Sequence, residues 1–347
     1  MELSLFDRLS RMIVIDLGTV NTLMADAGRG ILLREPSVAV VDADTRRVVA
    51  LGSEEVKRKS QLQGGVRTLY PMRDGVVTDI ELASQLIAGF IRRALGKAPR
   101  LFGVNAVICV PGCATAVERQ AIEEAAYRAG IKKTFVMSEP VAAALGAGLP
   151  VYREDGCMVA DIGGGTTDVA VMSKNGVESV KSSKRGSVHM NEAIVRLVWA
   201  RYGIDIGDEA AEELKREIGL KPGRDTVRVS GRRLDTGLPD VILVEPACIA
   251  EALRAEADKV VGLISEALLD APAGLAAHVM ERGIVLTGGG ALLKGIDEHI
   301  ARETGVRVRV AEDCMDCVML GALHMAQELL YGSDIRDEEA EPYTVSI

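Results

Sequence analysis

Apolar residues fall along this chain in two rhythms: short unbroken runs, and longer stretches that return every three or four positions. Residues 12–16 (MIVID) and 106–110 (AVICV) have the length and β-branching of buried strands. Between them, residues 78–95 predict a helix. Leu82, Leu86 and Phe90 share one face, Thr78 and Glu81 are spaced as a capping-box pair, and Gly96 ends the pattern. Thr115 and Glu118 repeat the start signal for a second helix, which Gly130 closes. A strand at 135–137 leads into Glu139-Pro140, residues 228–233 read as a surface hairpin, and residues 246–270 predict one long helix. Residues 332–342 are acidic and polar and predict a loosely held tail. Strands alternating with amphipathic helices predict α/β layers.

The chain also resembles itself. Val14-Ile15-Asp16-Leu17-Gly18 returns as Val159-Ala160-Asp161-Ile162-Gly163, 145 residues later (161 − 16). Each copy is an apolar strand ending in Asp and running into a glycine turn. Each is followed by a second strand that ends at a glycine, Val110-Pro111-Gly112 in one case and Leu286-Thr287-Gly288 in the other. Two matched pairs in the same order point to an internal duplication, one copy per half.

Paired turns of this kind suit phosphate. Glycine lets the backbone approach a polyphosphate closely, so that successive N–H groups donate to its oxygens. Thr19 and Thr166 add hydroxyls within the same turns. A carboxylate beside phosphate makes sense when a divalent cation lies between them, with Asp16 and Asp161 holding its water shell. The plainer reading is that Asp-Gly turns end strands and reverse the chain. The matched pair, with Gly288-Gly289-Gly290, favours phosphate. No G-x-x-x-x-G-K-[ST] loop is present, since the Gly96-Lys97 pair lacks the upstream glycine, and no G-x-G-x-x-G turn either. A phosphate site here must be assembled from several loops.

Composition narrows the classes. A chain of 347 residues has room for two ordinary domains, and 48 % apolar residues with few aromatics leave Val, Ile, Leu and Ala to fill the interior. A net charge of −9 argues against nucleic acid as a general partner. Six cysteines without a recognisable signal peptide fit reduced thiols in a cytoplasmic protein. No uncharged apolar run reaches the roughly 20 residues of a membrane span; residues 140–152 come nearest.

Asp16-Leu17-Gly18-Thr19, Glu139-Pro140, residues 161–168 (DIGGGTTD) and Thr287-Gly288-Gly289-Gly290 together resemble the superfamily of actin, sugar kinases and heat-shock chaperone ATPases. Within it the chain is most similar to the bacterial rod-shape actins, MreB and Mbl. That likeness rests on Asn21-Thr22-Leu23, Glu35-Pro36-Ser37, residues 71–76 (PMRDGV), 146–150 (GAGLP) and 282–287 (RGIVLT), and runs from about residue 12 to residue 330.

The resemblance implies an α/β, actin-like fold of two duplicated, ribonuclease H-like domains, residues 1–149 and 150–330, before a tail at 331–347. Each would carry a large subdomain and a small outer one, at about 34–69 and 191–242, with ATP and Mg2+ in the cleft between the halves. Gly18, Thr19, Val20 and Asn21 would form the first phosphate loop with Asp16 behind it, and Gly163, Gly164, Gly165 and Thr166 the second. Glu212 and Lys215 would contact ribose and adenine, although the residues alone read as a solvated helix face with i,i+3 pairing. Gly288, Gly289, Gly290 and Ala291 would line the far side of the adenosine pocket. Glu139 matches the family's water-orienting glutamate, with Thr166 as its partner hydroxyl and Asp161 beside the cation; a lone Glu before Pro also simply starts helices.

The implied role is a filament of this chain with itself. It would lie peripherally at the cytoplasmic face of the cell membrane, work with membrane proteins of cell-wall elongation, and be timed by slow ATP hydrolysis. Asp168 is closer to the chaperone pattern, so a monomeric chaperone-type ATPase or ATP switch is the alternative.

Several stretches stand apart. Where the family carries acidic residues before and within Met-Asp-Glu, this chain has Ser187-Val188-His189 and Met190-Asn191-Glu192. His189 reads as a structural replacement. Cys314 and Cys317 have C-x-x-C spacing, but no second pair completes a zinc set, so buried or loop thiols are expected. Leu101 and Phe102 stand where the family has a membrane-inserting loop, and equally read as residues leading into a strand. Leu5, Leu9 and Met12 fall on one face of a short helix that could lie on a membrane surface.

Overall fold

The first apolar run becomes the centre of a sheet. A computed structural model describes residues 10–53, 65–96 and 103–331, and the chain divides into two units. The first takes residues up to 154, 174–176 and those from 316 onward; the second takes 155–173 and 177–315.

In the first unit, β1 (Arg11–Leu17), β2 (Asn21–Asp26) and β3 (Gly30–Pro36) form a meander. A separate three-stranded sheet follows, with β4 (Ala39–Asp42), β5 (Val48–Leu51) and β6 (Val66–Leu69), then a ribbon of β7 (Met72–Arg73) and β8 (Val76–Val77). Helix α1 (Ile80–Leu95) leads into β9 (Val104–Val110), α2 (Ala116–Arg128) into β10 (Lys133–Ser138), and α3 (Glu139–Gly146) comes after. The main sheet runs β10-β9-β1-β2-β3. Its central strand is parallel to β9 and antiparallel to β2. Such a strand is covered on both faces, which is why it reads as an unbroken apolar run. Leu82, Leu86 and Phe90 of α1 are buried in this core as the periodicity predicts.

The second unit holds β11 (Cys157–Ile162), β12 (Thr167–Ser173), β13 (Gly176–Ser183), α4 (Ser187–Tyr202), β14 (Ile204–Asp205) and α5 (Gly207–Ile218). It continues with β15 (Val227–Arg233), β16 (Pro239–Val244), α6 (Pro246–Asp270), α7 (Ala273–Arg282), β17 (Ile284–Thr287), α8 (Ile296–Thr304) and β18 (Val308–Val310). Its main sheet runs β18-β17-β11-β12-β13, and β14-β15-β16 form a smaller one. The sheet order of the first unit is thus repeated. Here too the central strand is antiparallel to the next strand in sequence and parallel to the one that follows the long helix. The duplication read from two short motifs extends to whole sheets.

Helix α9 (Cys317–Tyr331) belongs to the first unit, although a boundary at 149/150 would give it to the second half. It packs against α3 at backbone contact distance: a Cβ on Gly321 would strike the Ala142 carbonyl, and one on Gly146 the Cys317 carbonyl.

Three local expectations change. Asp79, not Thr78, caps α1, its carboxylate accepting from the Leu82 N–H at 2.9 Å. Thr78 donates instead to the Pro71 carbonyl at 3.1 Å. Thr115 and Glu118 do form the reciprocal box on α2. The hairpin exists, but residues 228–233 are strand, paired with β16, and the chain reverses over 234–238, where Gly237 has φ +70°. Met12 is not on a surface helix. It lies 2 % exposed in β1, and Arg11 beside it pairs with Asp26 at 2.5 Å. Leu5, Leu9, Leu101, Phe102 and the tail at 332–342 lie outside the described residues. Cys314 and Cys317 are buried.

Candidate functional site

Within the first unit, Asp16, Cys109 and Met137 share one row across three parallel strands. The loops that follow therefore emerge along one edge, where open α/β sheets bind ligands. They hold residues 18–21, Pro111-Gly112 and Glu139. The turn after β1 has its carbonyls tied back. Gly18 N–H donates to Asn21 O at 3.1 Å, and Ser37 N–H to Val20 O at 2.8 Å. Ser37 Oγ donates to Gly18 O at 2.6 Å, so its own oxygen is left to accept from the Thr22 hydroxyl at 2.8 Å. Ser37 and Thr22 are fully buried. The Thr19 and Val20 N–H groups have no partner among the described residues, which leaves them for an outside acceptor. Thr19 Oγ1 accepts from the Gly75 N–H at 2.9 Å and still has its proton to donate.

Asp16 keeps partial exposure, yet the protein packed round its carboxyl desolvates it and pushes its pKa up to about 6. Glu139 is half-buried at the first position of α3, directly after β10.

The second unit repeats the arrangement. Gly163 N–H donates to Thr166 O at 2.9 Å, closing the turn. The carbonyls of Gly163 and Gly164 each accept at 2.9 Å, from the N–H groups of Ser187 and Val188 at the start of α4. The N–H groups of Gly164, Gly165 and Thr166 have no partner among the described residues. Asp161, 5 % exposed, accepts from the Thr287 hydroxyl at 2.7 Å. It lies directly opposite Asp168 in the ladder, a fully buried carboxylate that accepts from Ser182 Oγ at 2.5 Å. Facing carboxylates repel, and a divalent cation near Asp161 would offset that. After β17, Gly288 (φ +78°) donates its N–H to Cys314 O at 2.7 Å, Gly289 faces open space and Ala291 is buried.

Glu212 and Lys215 are more than a solvated pair. Ala211, Leu214, Lys215 and Ile218 make the buried stripe of α5, so the lysine sits in an apolar row at 7 % exposure. Its Nζ donates to Glu212 at 2.6 Å and to Ser187 O at 3.1 Å, and Asn191 Nδ2 donates to the same Glu212 oxygen at 3.0 Å. Burial lowers the pKa of the Lys215 ammonium, against the pull of Glu212. Burial alone would raise Glu212, but the bonds from Lys215 and Asn191 outweigh it and hold the carboxyl below its ordinary range. His189 acts as the structural replacement expected of it: its Nδ1 accepts from the Gly186 N–H at 3.1 Å, capping α4.

The structure thus gathers Asp16, residues 18–21 and Glu139 at one sheet edge. It gathers Asp161, residues 163–166 and 288–291 at the matching edge of the other unit, with Lys215 joined to that edge through Ser187. Sequence reasoning missed the work of Ser37, Thr22, Gly75, Arg185 and Gly186. Thr22, Ser37 and Gly75 lie within motifs quoted above, which were signals without a role attached.

The residues fit a nucleoside polyphosphate with a divalent cation: two turns present N–H groups outward, each beside a strand-end carboxylate. Comparison with known proteins points the same way. The MreB/Mbl protein family matches residues 10–331. The chain belongs to that family. The cell shape-determining protein MreB of Escherichia coli (strain K12) is 41 % identical over 94 % of this chain and 96 % of its own. The crystal structure of MreB5 of Spiroplasma citri bound to AMPPNP is 30 % identical, with a TM-score of 0.82 over 90 % of this chain and 94 % of that one. The MamK double helical filament, 21 % identical at a TM-score of 0.77 over 92 % and 99 %, shares the fold. The fold is actin-like, as the paired sheets foreshadow.

Proposed function

We propose that this protein binds ATP with Mg2+, assembles into filaments of its own chain, and serves cell shape as a scaffold at the cytoplasmic face of the membrane. The observation that carries nucleotide binding is the backbone of the two turns: carbonyls are drawn back by Ser37 in one unit and by the start of α4 in the other, and N–H groups are left facing out. Such nests bind anionic oxygens. Gly18, Thr19, Val20 and Asn21 with Gly163–Thr166 would hold the phosphates. Asp16 and Asp161 would orient the water shell of the cation, which neutralises phosphate charge when bound. Glu212 and Lys215 would take the sugar and base, and residues 288–291 the far side of adenosine. Support for the filament comes from relatives: MamK forms a double helical filament and MreB of Escherichia coli determines cell shape. A head-to-tail contact without a closing rotation propagates, which is what a filament needs.

Hydrolysis would be slow and coupled to assembly. Glu139 would hold a water in line with the terminal phosphorus, with Thr166 as the partner hydroxyl. Glu139→Ala should leave ATP binding intact and abolish phosphate release; unchanged turnover would remove Glu139 from the mechanism.

Sedimentation with ATP, ADP or no nucleotide, followed by negative-stain imaging of the pellet, tests the main proposal. ATP-dependent filaments are expected; nucleotide binding without pelleting, on lipid or off it, would favour the monomeric ATP switch. Membrane contact through Leu101, Phe102 and the N-terminal segment is tested by liposome pelleting. The intact chain should pellet, and a chain lacking residues 1–11 and carrying Leu101→Ser and Phe102→Ser should not. Partners among cell-wall elongation proteins belong to the same proposal.

A further inference from the structure

Glu256 lies midway along α6 with its side chain 9 % exposed, a poor place for a charge without a purpose. Three cations surround it: Arg185 at 2.8 Å through Nη2 and 3.3 Å through Nε, Lys259 at 2.8 Å, and Arg196 at 4.0 Å. Burial works to raise its pKa, but the bonds from Lys259 and Arg185 outweigh it and keep the carboxyl ionised at neutral pH.

Arg185 is where this cluster meets the second turn. Its carbonyl accepts from the Thr167 hydroxyl at 2.8 Å, and Thr167 is the residue directly after the turn. The next residue, Gly186, presses on the turn itself: an added Cβ would lie 2.6 Å from both the Gly163 and the Gly164 carbonyls. Ser187 and Val188 then donate to those two carbonyls. Four consecutive residues, 185 to 188, thus set the direction of the turn. The guanidinium at their head is anchored on another helix. A small, partly open pocket lined by Thr167, Arg185, Gly186, Met190, Glu256 and Lys259 among others borders this strut.

We propose that Glu256 and Arg185 are positioning residues for the phosphate turn at 163–166, holding its carbonyls away from the ligand so that its N–H groups face the phosphates. The inference rests on the phosphate-binding reading above and names the distant side chains that maintain it. Neither residue touches nucleotide. The role is therefore specific to the polyphosphate and not to adenosine.

Isothermal titration of the full chain with Mg-ATP and, separately, with adenosine tests it. Glu256→Gln should weaken Mg-ATP about tenfold and leave adenosine affinity within twofold of the parent. The exchange Arg185→Glu with Glu256→Arg should recover at least part of the loss. Asp258→Asn, on the same helix and paired with His299 at 2.7 Å, should change neither. Should Glu256→Gln fold poorly, Arg185→Lys, which keeps the charge but loses the fork, carries the same expectation. Equal loss of both ligands would mean general loosening and overturn the proposal, as would unchanged Mg-ATP affinity. A parent protein that binds no Mg-ATP would instead overturn the phosphate reading on which it rests.

Discussion

At the residue scale, Asp16 ties stability to pH. Its folded pKa, about 6, lies above the ordinary 3.8, because burial disfavours the charged carboxylate. The folded state then holds this proton more tightly than the unfolded one. Its contribution is fully present below pH 3.8 and is lost as pH rises through about 6, on the order of 3 kcal/mol. Asp16→Asn should therefore flatten the pH dependence of nucleotide-free thermal unfolding across that window and raise the midpoint at pH 7. Parallel profiles for the two proteins would refute this. Ser37→Ala should cost about 1–3 kcal/mol in urea unfolding, because the fully buried Thr22 hydroxyl and the partly buried Gly18 carbonyl both lose their partner. Glu35-Pro36-Ser37 was visible as a motif. That its serine braces a turn 19 residues earlier was not, since nothing local to either position records the approach.

At the element scale, cap and contact can be separated by substitution. Asp79→Ala should destabilise by about 1 kcal/mol through loss of the α1 cap, and Thr78→Ala by less. The reverse order in thermal unfolding would restore the capping box expected from Thr78 and Glu81. Both residues are good caps, and the choice falls to Asp79 because the Pro71 carbonyl engages the Thr78 hydroxyl. Helix α9 gives a second test. Gly321→Ala would push a methyl into the Ala142 carbonyl, and more than about 2 kcal/mol of stability should be lost in denaturant titration. An Ala at that position with normal stability would show that the two helices can part at little cost.

At the scale of the whole molecule, ligand linkage is the clearest readout. Mg-ATP at 100 times its Kd should stabilise the parent by about 2.7 kcal/mol, seen as a rise in the unfolding midpoint that chelation of the metal diminishes. Asp161→Ala should lose most of that rise, and its unliganded stability should also fall by about 1–3 kcal/mol because the buried Thr287 hydroxyl loses its acceptor. A full shift in this variant would take Asp161 out of the site. The duplicated sheets give each unit one outward-facing turn and one strand-end carboxylate.

The sequence by itself determined the central strands of both sheets, the helices at 80–95, 116–128 and 246–270, the duplication and both glycine turns. These features rest on short-range sterics and on burial of apolar runs, and both leave periodic traces in one dimension. Tertiary structure alone decided that Lys215 enters an apolar stripe, that Met12 is core and not a surface anchor, and that α9 joins the first unit. It also decided which groups draw the turn carbonyls back: Ser37 for one turn, Ser187 and Val188 for the other. Those outcomes depend on residues far apart in the chain competing for the same donors, acceptors and space. That competition is settled only when the chain folds.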